Sequence, residues 1–227
     1  DKNLIFDSSK LDYIYNNIKE IKSQRPNTPL IGFCGGPLTT FLFMFRRNES
    51  NKDFNHVIKL FYKEKKKCIK IMEMITEASV EYVKNQVKRG IDCFQLFETY
   101  CGIIPEEMYT EIVLPYSKKI LNTAMDKNCK SIFFPKNYNN GLNQLNKGIC
   151  DIASIDWQLP IETARSLLSS DIGIQGNMDP RIFFADKKEI EKYLITLSKF
   201  GAKNNNWIFN LGHGFIPGID VKNVNFV

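Results

Sequence analysis

"IDCFQLFETYCGIIPEE", residues 91–107, reads as one complete unit of a repeating architecture. Residues 91–97 form an apolar run of strand length, and "ETYCG" is a polar turn. Pro105, Glu106 and Glu107 then open a helix, with proline in its first turn and acids near the positive end of its dipole. Just upstream, Cys68, Ile71, Met72, Ile75, Ala78, Tyr82, Val83 and Val87 fall on one face of a helix over about 68–89. Gly90 ends that helix, in the position where glycine relieves a helix terminus.

The same alternation runs through the rest of the chain. "PLIGFCG" (29–35), "SIFF" (131–134), "DIASI" (151–155), "DIGIQ" (171–175) and "NWIFN" (206–210) read as further strands. Asp186 and Glu189 have the spacing of a capping box for a helix over 187–200, which Gly201 closes. Residues 1–28 supply a helix, "KLDYIYNNIKEIK", and no strand.

Strands that alternate with helices imply βαβ units and a parallel sheet. In every unit the residues with chemical handles lie just after the strand: Gly35-Gly36, Glu98-Thr99, Lys136, Asp156, Asn177 with Asp179, and His213. A parallel barrel gathers all such turns at one rim, where its active site lies. A doubly wound open sheet is the main rival, but it calls for G-x-G-x-x-G after its first strand, and "GFCGGP" does not supply it. The expected fold class is therefore α/β, a (β/α)8 TIM barrel represented by about six of its eight units. Residues 1–227 are expected to be a single domain, an incomplete barrel lacking its first strands and the end of its last helix.

No apolar stretch approaches the length of a membrane helix, and the first residues show neither a basic leader nor a cleavage site. The cysteines at 34, 68, 93, 101, 129 and 150 form no C-x-x-C pair and read as reduced thiols. The net charge of +6 is lysine-driven, and the run "KEKKK" at 63–67 carries no interleaved aromatics. It reads as a solvated helix or loop rather than a nucleic-acid surface, and a mildly basic protein suits an anionic small molecule. His56 is expected to be an exposed helix residue. Asn177 and Asp179 are expected to form turns, Asp156 either to cap a helix or to act as a rim acid, and Lys136 to be solvated or to contact a carboxylate.

One of only two histidines, His213, sits between two glycines in "NLGHGFIPG" (210–218). Glycines there would permit positive φ and close approach to a ligand, and an imidazole would titrate or hydrogen-bond near neutral pH. The alternative is a turn that happens to hold a histidine.

Taken together, "PLIGFCGGPLT", "FQLFET", "LPYSKKI", "IDW", "QGNMDP" and "NLGHGFIPG" occur in the order and spacing of the uroporphyrinogen decarboxylase family, which the chain resembles from about residue 10 onward. The resemblance implies a (β/α)8 barrel, a homodimer with facing clefts, and removal of carbon dioxide from the four acetate side chains of uroporphyrinogen III to give coproporphyrinogen III. It implies no metal and no organic cofactor, and no nucleic-acid or membrane partner. A cytoplasmic location is expected, or a plastid-like organelle if a transit peptide precedes the chain.

Residue by residue, the resemblance assigns the family's substrate-binding and catalytic histidine to His213. It places the family's serine at Thr99, which keeps a hydroxyl, and the family's tyrosine at Phe43, which does not. Phe33 and Gly36 match substrate-binding positions. The family's carboxylate-gripping arginines and its pyrrole-binding aspartate have no counterpart in residues 1–227, so the chain is expected to be a C-terminal portion that does not decarboxylate efficiently alone. Two other functions are weighed. A non-catalytic or degenerate paralogue is one. A zinc-dependent methyltransferase of the same superfamily is the other, which would need His-x-Cys and Cys ligands where "FFPKN" and "LGHG" stand.

Overall fold

The computed structural model describes residues 6–46 and 54–227. Six strands are formed: β1 Ile31–Gly35, β2 Cys93–Glu98, β3 Lys130–Pro135, β4 Ile152–Ser154, β5 Gly173–Gln175 and β6 Trp207–Ile208. The helices are α1 Asp12–Gln24, α2 Pro37–Met44, α3 Asn55–Lys63, α4 Lys65–Lys88, α5 Glu106–Met108, α6 Leu114–Met125, α7 Ile161–Leu167, α8 Lys187–Gly201 and α9 Val221–Val224.

All the strand pairs are parallel, and the sheet order follows the chain order from β1 to β6. A doubly wound sheet must reverse its order at a switch point, and none exists here. The sheet also curls. Gln175 on β5 donates to Gln95 Oε1 on β2 at 3.5 Å, although two strands lie between them, and to Ser154 Oγ on β4 at 3.0 Å. Side chains with two strands between them meet only across the concave face of a barrel-like sheet. The architecture is that of a (β/α)8 barrel represented by six consecutive strands.

The parity of the strands divides the side chains. Phe94, Leu96, Phe133, Ala153 and Ile174 point outward, fully buried beneath the helices. Their neighbours Gln95, Phe97, Ile132, Phe134, Ser154 and Gln175 point into the lumen, in the register that pairs Phe97 with Phe134 and Ser154 with Gln175. The outer layer rests on α4 and α6, where Cys68, Met72, Ile75, Val83, Ile120 and Leu121 are buried. At roughly 25 cal/mol per Å2 of apolar area, such fully buried side chains each contribute about 2 kcal/mol.

Some expectations hold and others are corrected. The helix expected over 68–89 begins at Lys65, so the lysine run spans the end of α3 and the exposed first turn of α4, with Lys67 paired to Glu64 at 3.0 Å. Gly90 follows it with φ of 97°, a conformation glycine adopts without strain. The helix opened by Pro105 is a single α turn followed by a π-helical stretch, Tyr109–Val113, before α6. His56 is half-buried rather than exposed, its Nε2 lying 2.8 Å from the Phe45 carbonyl oxygen. The strand expected over 206–210 keeps two residues. Asp186 caps α8, accepting from the Glu189 amide at 3.0 Å. The six cysteines are unpaired, and no described helix is long and apolar enough to cross a membrane.

Candidate active site

The lumen opens at the C-terminal ends of the strands into a cavity of about 460 Å3. Gln95, Phe97 and Thr99 on and just after β2 line it, with Phe134 of β3, Ser154 of β4, and Asn210, Leu211, His213, Gly214 and Phe215 after β6. Period-two alternation brings Gln95, Phe97 and Thr99 to the same face, so the turn hydroxyl stands above a phenyl ring and an amide. Thr99 and His213, 114 positions apart in sequence, thus border one space. The walls are aromatic and the floor is the hydrogen-bonded set Gln95, Gln175 and Ser154.

The rim loops hold one another through backbone bonds. Asp156 is buried and accepts from the Asn137 amide at 2.7 Å on one oxygen and the Gln158 amide at 2.8 Å on the other. It therefore joins the β3 and β4 turns and is neither a free rim acid nor the cap of α7, whose N-cap is Pro160. Asn177, buried after a cis peptide, donates to the Asp156 and Leu159 carbonyls at 2.9 and 2.6 Å. The Met178 amide donates to Asn210 O at 3.1 Å and Gly212 N to Met178 O at 2.8 Å, which carries the histidine loop on the β5 turn. Asp179 accepts from Arg181 at Nε and Nη2 and from its amide.

His213 is exposed, and its imidazole stands edge-on to Trp157 with centroids 5.7 Å apart. Neither ring nitrogen has a protein hydrogen-bond partner among the described residues, and the side chain borders the cavity. The positive φ expected of the flanking glycines is not found. Neither has positive φ, which among the described glycines occurs at Gly90, Gly176 and Gly218. A Cβ on Gly212 would collide with the Trp157 amide nitrogen and the Asp156 carbonyl carbon, whereas one on Gly214 would meet nothing within 4 Å. Gly212 is there to fit the backbone of the β4 turn.

Of the other residues singled out, Phe33 is 61% exposed on the concave face and joins the cavity through Phe97, ring centroids 5.8 Å apart; Phe97 in turn meets Phe134 at 5.9 Å. Phe43 lies outside the cavity walls, edge-on to Phe54 and Tyr100 at 5.7 and 5.5 Å. Gly36 also lies outside them, buried against the Glu98 carboxylate, which a Cβ there would strike.

Glu98 explains that glycine. Its carboxyl accepts from Thr39 Oγ1 at 2.5 Å, Thr39 N at 2.7 Å and Leu38 N at 3.3 Å, capping α2 in place of the side chain Gly36 lacks. The Tyr100 amide donates to Thr39 Oγ1 at 3.3 Å, so the same contact set holds the turn that carries Thr99. Complete burial pushes the Glu98 carboxyl up to about 7 against these stabilising donors. Gln95, Phe97, Phe134, Ser154 and Asn210 were not foreseen; counting back in twos from Thr99 would have found Gln95 and Phe97.

Among the described residues, no three of His, Cys, Asp and Glu lie close enough together to hold a metal ion.

The family model described as uroporphyrinogen decarboxylase matches residues 2–227. The chain is 33% identical over 217 residues to the uroporphyrinogen decarboxylase of Francisella tularensis subsp. novicida (strain U112), covering 94% of this chain and 62% of that protein. It is 32% identical over 212 residues to that of Geotalea uraniireducens (strain Rf4), covering 93% and 62% respectively. The chain therefore spans about 62% of the length of these relatives. Among solved structures it is similar to a methyltransferase from Methanosarcina mazei (TM-score 0.78, 15% identity, 96% of this chain and 62% of that one). A B12-independent methionine synthase from Shewanella sp. W3-18-1 is similar too (TM-score 0.64, 12% identity, 93% and 62%). At these identities the structural likeness shows the fold alone.

Proposed function

The chain belongs to the uroporphyrinogen decarboxylase family, and from that premise we propose that its protein decarboxylates the acetate side chains of uroporphyrinogen III to give coproporphyrinogen III. The observation that carries the reading is the single cavity shared by Thr99 and His213, with aromatic walls and a neutral polar floor. The reaction takes place as a carboxy-lyase step in tetrapyrrole synthesis. The reading extends to a homodimer on the strength of the family alone.

The chemistry needs no metal or organic cofactor. An electron-rich pyrrole takes a proton at a ring carbon and becomes a cation. The bond between the acetate methylene and its carboxylate then breaks, carbon dioxide leaves, and the bonding pair moves toward the ring and neutralises the cation. Protonation of the methylene carbon and loss of the ring proton leave a methyl group on a restored pyrrole. Overall, one proton is consumed and one carbon dioxide released per acetate.

The protein's part is positioning and charge placement. His213 offers a hydrogen bond or a proton to a carboxylate of the substrate, and its edge-to-face contact with Trp157 orients the ring. Thr99, on the same cavity, offers a hydroxyl. Phe97 and Phe134 give the cavity apolar walls, which strengthens the polar contacts between them.

The test uses His213→Asn in the longest natural form of the polypeptide. Losing a hydrogen bond to a charged group should lower kcat/KM for uroporphyrinogen III at least tenfold, on the order of 1.5–3 kcal/mol. Unchanged kinetics would remove His213 from the site.

A further inference from the structure

The cavity is almost free of positive charge, although the proposed substrate carries carboxylates on every ring. Its lining contains no lysine or arginine, and His213 is its one basic side chain. Charge compensation on this side of the barrel must therefore come from the rim.

Two cations reach the rim beside His213, both over Trp157. Lys136 Nζ lies 5.3 Å from the indole centroid and Arg181 Cζ 5.4 Å. Arg181 is already neutralised, since Asp179 accepts from its Nε at 2.9 and 3.0 Å and from Nη2 at 2.7 Å. Lys136 has no carboxylate within ion-pair distance among the described residues. The acid beside it, Asp156, has both oxygens committed to backbone amides. Lys136 is also only half-exposed, with its ammonium over an aromatic face instead of extended into water.

We infer that Lys136, positioned by Trp157 one indole away from His213, is a carboxylate-binding residue that sets affinity for the polycarboxylated substrate. The inference rests on the proposed function and adds a residue to that site. Arg181, paired with Asp179, shares the same indole. Lys136 supplies the uncompensated charge.

The experiment compares wild type, Lys136→Met and Lys136→Arg, each as the longest natural polypeptide, with uroporphyrinogen III at increasing potassium chloride. Methionine keeps the apolar stem over the indole and removes only the charge, and thermal melting checks that each variant folds. A single partly exposed pair predicts KM raised about fivefold in Lys136→Met with kcat within about twofold. The salt dependence of KM should also flatten, because one charge–charge contact is gone. Lys136→Arg should retain wild-type behaviour. A purely structural lysine would leave the salt dependence unchanged. If wild type turns over while Lys136→Met matches it in KM and salt dependence, the inference is overturned and the proposed function stands. If wild type itself neither binds nor turns over the tetrapyrrole, both are overturned.

Discussion

The imidazole of His213 stands perpendicular to the indole of Trp157, planes at 90° and centroids 5.7 Å apart, so two turns more than fifty residues apart form one surface. Edge-to-face pairs contribute about 0.5–1.5 kcal/mol beyond their buried area. Trp157→Leu should therefore lower the melting temperature by only a few degrees for a chain of this size, roughly 2–4 °C per kcal/mol. Its kinetic effect should be larger than its effect on stability, because the histidine loses its orienting wall. Thermal melting alongside kcat/KM checks this, and a variant that loses stability without losing activity would contradict it.

Gly212 and Gly214 flank the same histidine and should respond in opposite ways. An added Cβ at Gly212 meets the backbone of Trp157 and Asp156, which cannot step aside as a flexible side chain could. Gly212→Ala should cost about 1–3 kcal/mol, the usual range for overpacking. Gly214→Ala, with nothing within 4 Å of its new methyl, should be close to neutral. Urea unfolding of the two variants side by side decides the matter.

Glu98 gives stability a pH dependence with a definite sign. Its folded carboxyl is pushed up to about 7 from an ordinary value of 4.5, chiefly by burial. Below pH 4.5 both folded and unfolded states hold the proton, and there is no penalty. As pH rises toward about 7 the unfolded chain releases its proton first, so stability falls, by a few kcal/mol at most. Asp92, Asp151 and Asp179 have lowered values, and their contribution changes only below about pH 4. The difference in unfolding free energy between wild type and Glu98→Gln should therefore shrink from pH 4.5 to pH 7.5. A constant difference would show that Glu98 does not titrate in this window.

Thr99 separates hydroxyl chemistry from packing. Thr99→Val keeps the shape and removes the donor, so kcat/KM should fall about threefold to tenfold, the equivalent of one hydrogen bond. Thr99→Ser keeps the hydroxyl and should stay near wild type. Equal loss in both variants would assign Thr99 a packing role instead.

Much of this was legible in the sequence, for physical reasons that also explain the failures. Strands β1 to β3 announce themselves because they are continuous apolar runs bounded by turn residues, and Thr99 and His213 because they directly follow strands in a parallel sheet. Helix α2 was missed because "PLTTFLFM" is buried over Pro37, Leu38, Thr39, Phe41 and Leu42 and shows no amphipathic period. Helix α3 has Phe54 as its N-cap, with φ of 53° and no side-chain cap bond, so it lacks a start signal. Gly36 and Gly212 look like ligand-facing glycines, yet Glu98 and Trp157 account for them, and both partners are distant in sequence. The Lys136–Trp157–Arg181 stack joins three separate turns and leaves no local pattern.

The most direct measurement is product analysis with the longest natural form of the polypeptide. Uroporphyrinogen III is incubated anaerobically with a chelator present, oxidised, and the porphyrins separated by carboxylate number. The account predicts successive hepta-, hexa-, penta- and tetracarboxylate products. Recovery of the octacarboxylate alone, from protein shown to be folded, would contradict it and leave the cavity between Thr99 and His213 as a binding site without this chemistry.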